Sequence, residues 1–106
     1  MVSNPEYAAV RHILTAPLIA HRTAPFISAH DFDFDGLARE AETMSGGEAL
    51  LVRIAQELWT AQKVSGLWEL PRRLDEPNFH RVLEGLARAR GRMFAAQGEL
   101  VLQLAA

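Results

Sequence analysis

Along most of this chain apolar residues recur at intervals of three and four, the spacing of one face of an α-helix, with polar residues marking the ends. Tyr7, Val10, Ile13 and Leu14 form the first such face. Asn4 is placed to cap it, Pro5 takes the first helical position, Glu6 suits the dipole, and Pro17 stops the helix. Residues 16–30 hold two prolines and scattered apolar positions, and read as a connecting segment lying against the core. A second helix, capped by Asp33 or Asp35, runs to about Thr43 with Leu37, Ala38 and Ala41 inward. Ser45-Gly-Gly-Glu48 is a capping box, in which the Ser45 hydroxyl and the Glu48 carboxylate each accept from the other residue's backbone N–H. Behind it Leu51, Ile54, Ala55 and Leu58 keep the helical period, Trp59 covers the edge of the stripe, and Gly66 marks the end. A short apolar piece, Leu67-Trp68-Glu69-Leu70, precedes Pro71. Asp75 then caps a helix with Pro77 in its first turn and Phe79, Val82, Leu83 and Leu86 on its buried face; Arg88, Arg90 and Gly91 suit its end. Over residues 92–106, Gly98 separates two apolar runs, which form either a β-hairpin or a broken final helix.

The pattern predicts a mainly α fold: a single small helical domain, 1–106, of about five helices. Residues 1–44 form an N-terminal helical extension, and 45–106 a helix-turn-helix-like core that closes with the hairpin where that alternative holds. Composition supports a globular chain, with 49% hydrophobic and 23% charged residues in 106. A core of this size favours dimerisation. The absence of cysteine excludes disulfides, thiolate catalysis and the usual structural zinc sites. Residues 1–9 lack the pattern of a signal peptide, and no apolar run approaches the roughly 20 residues of a membrane span, so a cytoplasmic protein is expected. The net charge of −2 is uneven: residues 1–62 carry four arginines against eight acids, residues 63–92 seven basic side chains against four acids. A basic segment of that kind suits an anionic partner or self-complementary packing.

Two short motifs resemble chemical sites. Asp31-Phe-Asp-Phe-Asp-Gly36, with Glu42 at the twelfth place, is similar to an EF-hand calcium loop; the resemblance implies Asp31, Asp33, Asp35, the Leu37 carbonyl and Glu42 as ligands. The alternative is that Phe32 and Phe34 anchor a loop while an aspartate caps the next helix, and no metal is expected on that reading. Residues 44–58 resemble the signature segment of ABC-type ATPases, but the chain has no G-x-x-x-x-G-K-[ST] phosphate loop to complete a nucleotide site, and capping accounts for the match. His12, His21, His30 and His80 lack metal-ligand spacing, and no nucleophile–base signature is present. Neither a cofactor nor an enzymatic activity is expected.

From about Glu48 to Leu104 the order of elements is similar to winged helix-turn-helix domains. On that resemblance the helix from Ser45 to Lys63 is the first, Gly66 to Leu74 the second, and Asp75 to Arg90 the recognition helix. Residues 92–96 and 99–104 would be the wing strands. Pro71 inside the second helix predicts a kink or break there. Asn78, Arg81, Glu84 and Arg88, with His80 beside them, lie off the apolar face, where Asn and Arg can read bases in the major groove. Arg72, Arg73 and Arg92 flank that helix as phosphate contacts.

The sequence thus predicts a non-catalytic binding module. Its leading partner is DNA, bound through Arg72, Arg73, Asn78, Arg81, Arg88 and Arg92. The alternative is a protein–protein interaction or assembly domain, with Trp59, Leu67 and Trp68 as an exposed apolar patch.

Overall fold

The computed structural model describes residues 4–91. Within them lie six α-helices: α1 (Pro5–Leu14), α2 (Ala20–Thr23), α3 (Phe34–Ala41), α4 (Gly46–Thr60), α5 (Glu69–Arg73) and α6 (Glu76–Ala89), with a 3₁₀ turn at Ala24–Phe26. Among the described residues the only β-type pairing is an isolated bridge between Ile27 and Phe32. The hairpin or final helix expected over 92–106 lies outside the described residues.

Local chemistry fixes where four helices begin. The side chains of Asn4, Asp33 and Asp75 accept from the backbone N–H groups of Tyr7, Gly36 and Asn78. The capping box closes in both directions: Ser45 N–H donates to Glu48 and Glu48 N–H to the Ser45 hydroxyl. The helix ends differ from expectation. α4 stops at Thr60, and Ala61 closes it in the left-handed region with φ 61, five residues before the glycine expected to end it. Residues 16–30 are not a plain connection, because Ile19 and Thr23 are buried and α2 forms there. Thr23 donates to the Leu14 carbonyl at 2.6 Å, and Arg22 pairs with Glu40 at 2.8 Å, so this segment links α1 to α3. Pro71 neither kinks nor breaks α5, since it is the third residue of a five-residue helix whose first N–H groups have no intrahelical acceptor.

The core is organised around α1, which packs chiefly against α6 and α4. Val10, Ile13 and Leu14 meet Leu50, Leu51, Ile54 and Val82, and Ile19 and Leu37 close the far side. Leu37 is inward as expected, whereas Ala38 is exposed. α6 runs antiparallel to α1: Arg81 reaches His12 and Thr15, while Gly85 lies against Ile13 and Ala9. A Cβ on Gly85 would stand 2.8 Å from two Ile13 side-chain carbons, so this glycine sets how closely the helices approach. At Gly47 a Cβ would stand 2.8 Å from the Arg73 carbonyl oxygen, which accounts for a glycine behind Ser45 without any phosphate. α4 and α6 both lean on α1 but touch each other little, and a hollow opens between them.

Candidate interaction surface

That hollow has a volume of about 140 Å³. Ile54 and Leu58 of α4, Val82 and Leu86 of α6, and Leu67 and Leu70 beside α5 line it, with Glu57 and Ser65 at its polar edge. Its margin is unusually apolar for a surface: Leu67 is 82% exposed, Trp68 58% and Leu86 39%. Leu86 was expected on the buried face of its helix; it stands at the rim because, among the described residues, no element packs over the space between α4 and α6.

Two carboxylates hold the connection from α4 to α5 in place. Glu57 accepts from the N–H groups of Val64 and Ser65 and from the Ser65 hydroxyl at 2.8 Å, which folds residues 61–66 back onto α4. The Ser65 hydroxyl is the main reason its pKa lies below the ordinary carboxylate value. Glu69, only 7% exposed, accepts from Gly66 N–H at 2.8 Å and pairs with Arg53 at 3.2 Å and Arg73 at 3.3 Å. The Gly66 N–H first, and Arg53 second, hold its carboxyl below the usual range. Glu69 therefore fixes the turn at Gly66, the side chain of Arg73 and the start of α5 together. The guanidinium carbons of Arg72 and Arg73 lie 5.9 and 5.8 Å from the centroid of the Trp68 ring, which stiffens this exposed tryptophan. Arg72, Arg73 and Lys63 are exposed, with Arg73 directed to Glu69 and the start of α4 at Gly46.

The residues expected to contact a partner divide into separate groups. Leu67, Trp68, Arg72 and Arg73 share this corner. Asn78, 8% exposed, sits under the Asp75 cap. Arg81 faces α1, with Nε donating to the His12 carbonyl at 2.6 Å and Nη2 to Thr15 Oγ1 at 3.2 Å. Glu84 pairs with His12 at 3.0 Å, and Arg88 is half-buried near the same histidine. The polar face of α6, which the winged-helix resemblance would present to DNA, thus lies at the α1–α6 contact. Trp59 joins an aromatic cluster, edge-on to Tyr7 and Phe32, and its indole N–H donates to Asp31. Arg92 lies outside the described residues.

The calcium-like segment forms a loop anchor and helix cap. Asp31 accepts from Phe32 N–H and the Trp59 indole, Asp33 caps α3, and Phe32 is buried. Because the chain is helical from Phe34, the five implied ligands do not converge, and no group of three or more His, Asp or Glu among the described residues is placed to hold a metal ion. No described helix is long and apolar enough to cross a membrane.

Sequence reasoning missed Glu57, Glu69 and Arg53, the groups that shape the corner. One signal was available for Glu69: a single carboxylate inside the apolar run Leu67–Leu70 must find partners if the run packs. No protein-family model matches the chain, and no curated protein or solved structure matches it.

Proposed function

We propose that the protein is a non-catalytic interaction module that docks a segment of another protein at the hollow between α4 and α6. The segment's chemistry follows from the surface: apolar side chains for Leu58, Leu67, Leu70 and Leu86, and a carboxylate for exposed Arg72, which lies over Trp68 next to Leu67. The single observation that carries this reading is the stack of Trp68 with two arginines beside an open apolar hollow, since buried tryptophan and arginine are the commonest anchors of protein interfaces. Support for the protein reading over DNA comes from α6, where Arg81 and Glu84 already have partners on α1. A nucleic acid would have the Trp68, Arg72 and Arg73 corner, without that reading helix.

Selection from a displayed library of random linear peptides, at physiological salt and with Trp68→Ala as the counter-selection target, tests the proposal. The expected consensus combines apolar anchors with flanking Asp or Glu, and synthetic peptides carrying it should bind Trp68→Ala at least about tenfold more weakly. Labelled duplex DNA is titrated in parallel at ~50 and ~200 mM salt, a span over which several phosphate contacts would be plain. Failure to enrich any Trp68-dependent peptide, together with DNA binding that collapses across that span, would replace this reading with a nucleic-acid one.

A further inference from the structure

Among the described residues that line the hollow, Glu57 alone carries charge. Its three hydrogen bonds all end on one oxygen: Oε1 accepts from Val64 N–H at 3.2 Å, from Ser65 N–H at 3.0 Å and from the Ser65 hydroxyl at 2.8 Å. A carboxylate oxygen has two lone pairs, so Oε1 is filled, while Oε2 bonds to none of the described residues. The Ser65 hydroxyl, ahead of the two backbone N–H groups, holds this carboxyl below its ordinary range, so the group is ionised at neutral pH. An apolar hollow thus has one negative edge, with an acceptor left unused.

The place of Glu57 in its helix adds to that charge. It stands in the last turn of α4, where free carbonyls give a helix its negative end, and that turn holds no basic residue. Lys63, exposed in the loop beyond, acts on Glu57 through its charge alone and more weakly than the hydrogen bonds do. A group that satisfies both the carboxylate and the leucines beside it is a cation on an apolar stem. A guanidinium pairs best with both oxygens of a carboxylate, and here only one is open, so the single contact of an ammonium suits the site better. Lysine combines an ammonium with an aliphatic stem that lies readily along apolar surface.

We infer that the edge of the hollow at Glu57 is an ammonium subsite, filled by a lysine of the docked segment whose stem lies against Leu58 and Leu67. This rests on the reading of the hollow as a docking surface and adds a required residue to the segment it takes. The subsite also selects among partners, because a segment that places an acid there meets an unpaired like charge.

Two small probes test the subsite without a partner. Phenethylammonium and phenylacetate carry opposite charges on the same phenyl ring, which a hollow of about 140 Å³ can take. Each is titrated into the full-length chain at ~50 mM salt, where surface charges are only partly screened, with the methyl signals of Leu58, Leu67 and Leu86 as the readout. The ammonium should bind at least about threefold more tightly, and Glu57→Gln should abolish the preference. That change keeps an amide oxygen for the Val64 and Ser65 donors, and a urea midpoint near that of the native chain checks that the loop holds. Equal binding of the two probes, binding of neither at these leucines, or a preference that survives Glu57→Gln overturns the inference. Peptides selected as above supply a second arm in which the protein is unaltered. Replacing their lysine by norleucine should weaken binding to the native chain at least about threefold and leave binding to Glu57→Gln unchanged. Trp68-dependent peptides that lack lysine, or whose lysine is insensitive to Glu57→Gln, overturn the inference and leave the docking reading in place. If the probe preference holds and no Trp68-dependent peptide is selected, the ammonium subsite stands and the docking of a protein segment falls.

Discussion

Ala61 holds φ 61, where a Cβ crowds the following carbonyl at a cost of roughly 1–2 kcal/mol. Glycine removes that crowding but loses more backbone freedom on folding, so Ala61→Gly should stabilise the protein by about 0.5–1 kcal/mol. A higher urea midpoint at unchanged slope would show it, and a lower midpoint would mean that the alanine methyl makes a contact worth more than the relieved crowding. The same residue explains one way in which the sequence misleads. A glycine is the usual sign of a helix end, so Gly66 drew the expected boundary, while the chain terminates α4 with an alanine held by the 61–66 loop. Gly66 serves another purpose: a Cβ there would stand 2.5 Å from the Trp68 indole nitrogen. Helix starts were legible because a cap is a local bond between a side chain and an N–H three residues on, as at Asn4, Asp33, Ser45 and Asp75. Helix ends were less so, because tertiary contacts can impose an unfavourable conformation on whichever residue stands there.

At the scale of elements, the pairing of α1 with α6 carries two expected outcomes. Gly85→Val should destabilise the protein by about 1–3 kcal/mol, because Ile13 is fully buried and cannot yield to the added atoms. A thermal melt compared with Gly66→Ala, where the crowded group belongs to an exposed tryptophan, separates core overpacking from a general intolerance of side chains at glycine positions. The second outcome concerns pH. Burial lowers the pKa of His12 below 6.5, and the charges of Arg81 and Arg88 add to this, against a raising contribution from its bond to Glu84. The unfolded chain then binds the His12 proton more readily than the folded one, so stability rises with pH over this window. The stability is fully present above about 6.5 and declines as pH falls from there toward the lowered folded value. Urea midpoints of the native chain and His12→Gln across that range check it. The variant should show the shallower decline, whereas parallel curves would mean that the carboxylates, including Glu48, Glu57 and Glu69 with their own lowered pKa values, account for the acid loss. The interface also shows why α6 was read as a recognition helix. Periodicity placed its apolar stripe at Phe79, Val82, Leu83 and Leu86, of which Val82 and Phe79 join the core and Leu86 is exposed, but a polar face can be covered by another helix when its groups find partners there, as Arg81 does on the α1 backbone.

Over the whole molecule, the division between residues that build the fold and residues left free is sharpest in the run Leu67-Trp68-Glu69-Leu70. Four successive positions have four different surroundings: Leu67 stands in solvent, Trp68 lies under two guanidinium groups, Glu69 is inside an ion-pair network, and Leu70 belongs to the core. The sequence marked this run as a candidate surface without showing which leucine faced out, because a short helix of five residues gives no period to read. It could not show the hollow either, which arises from two helices leaning on a third. The arrangement makes opposite expectations for two similar changes. Leu70→Ala removes a side chain packed against the core and should cost about 2–5 kcal/mol. Leu67→Ser alters a side chain that is 82% exposed and should leave stability within about 0.5 kcal/mol. If Leu67 is an anchor of the docking surface, the same serine variant should nonetheless weaken binding of the selected peptides roughly tenfold, a cost of about 1.4 kcal/mol confined to the complex. A melt and a peptide titration on the one variant decide the matter: stability and affinity falling together would make Leu67 part of the fold, while affinity falling alone would leave it free for a partner.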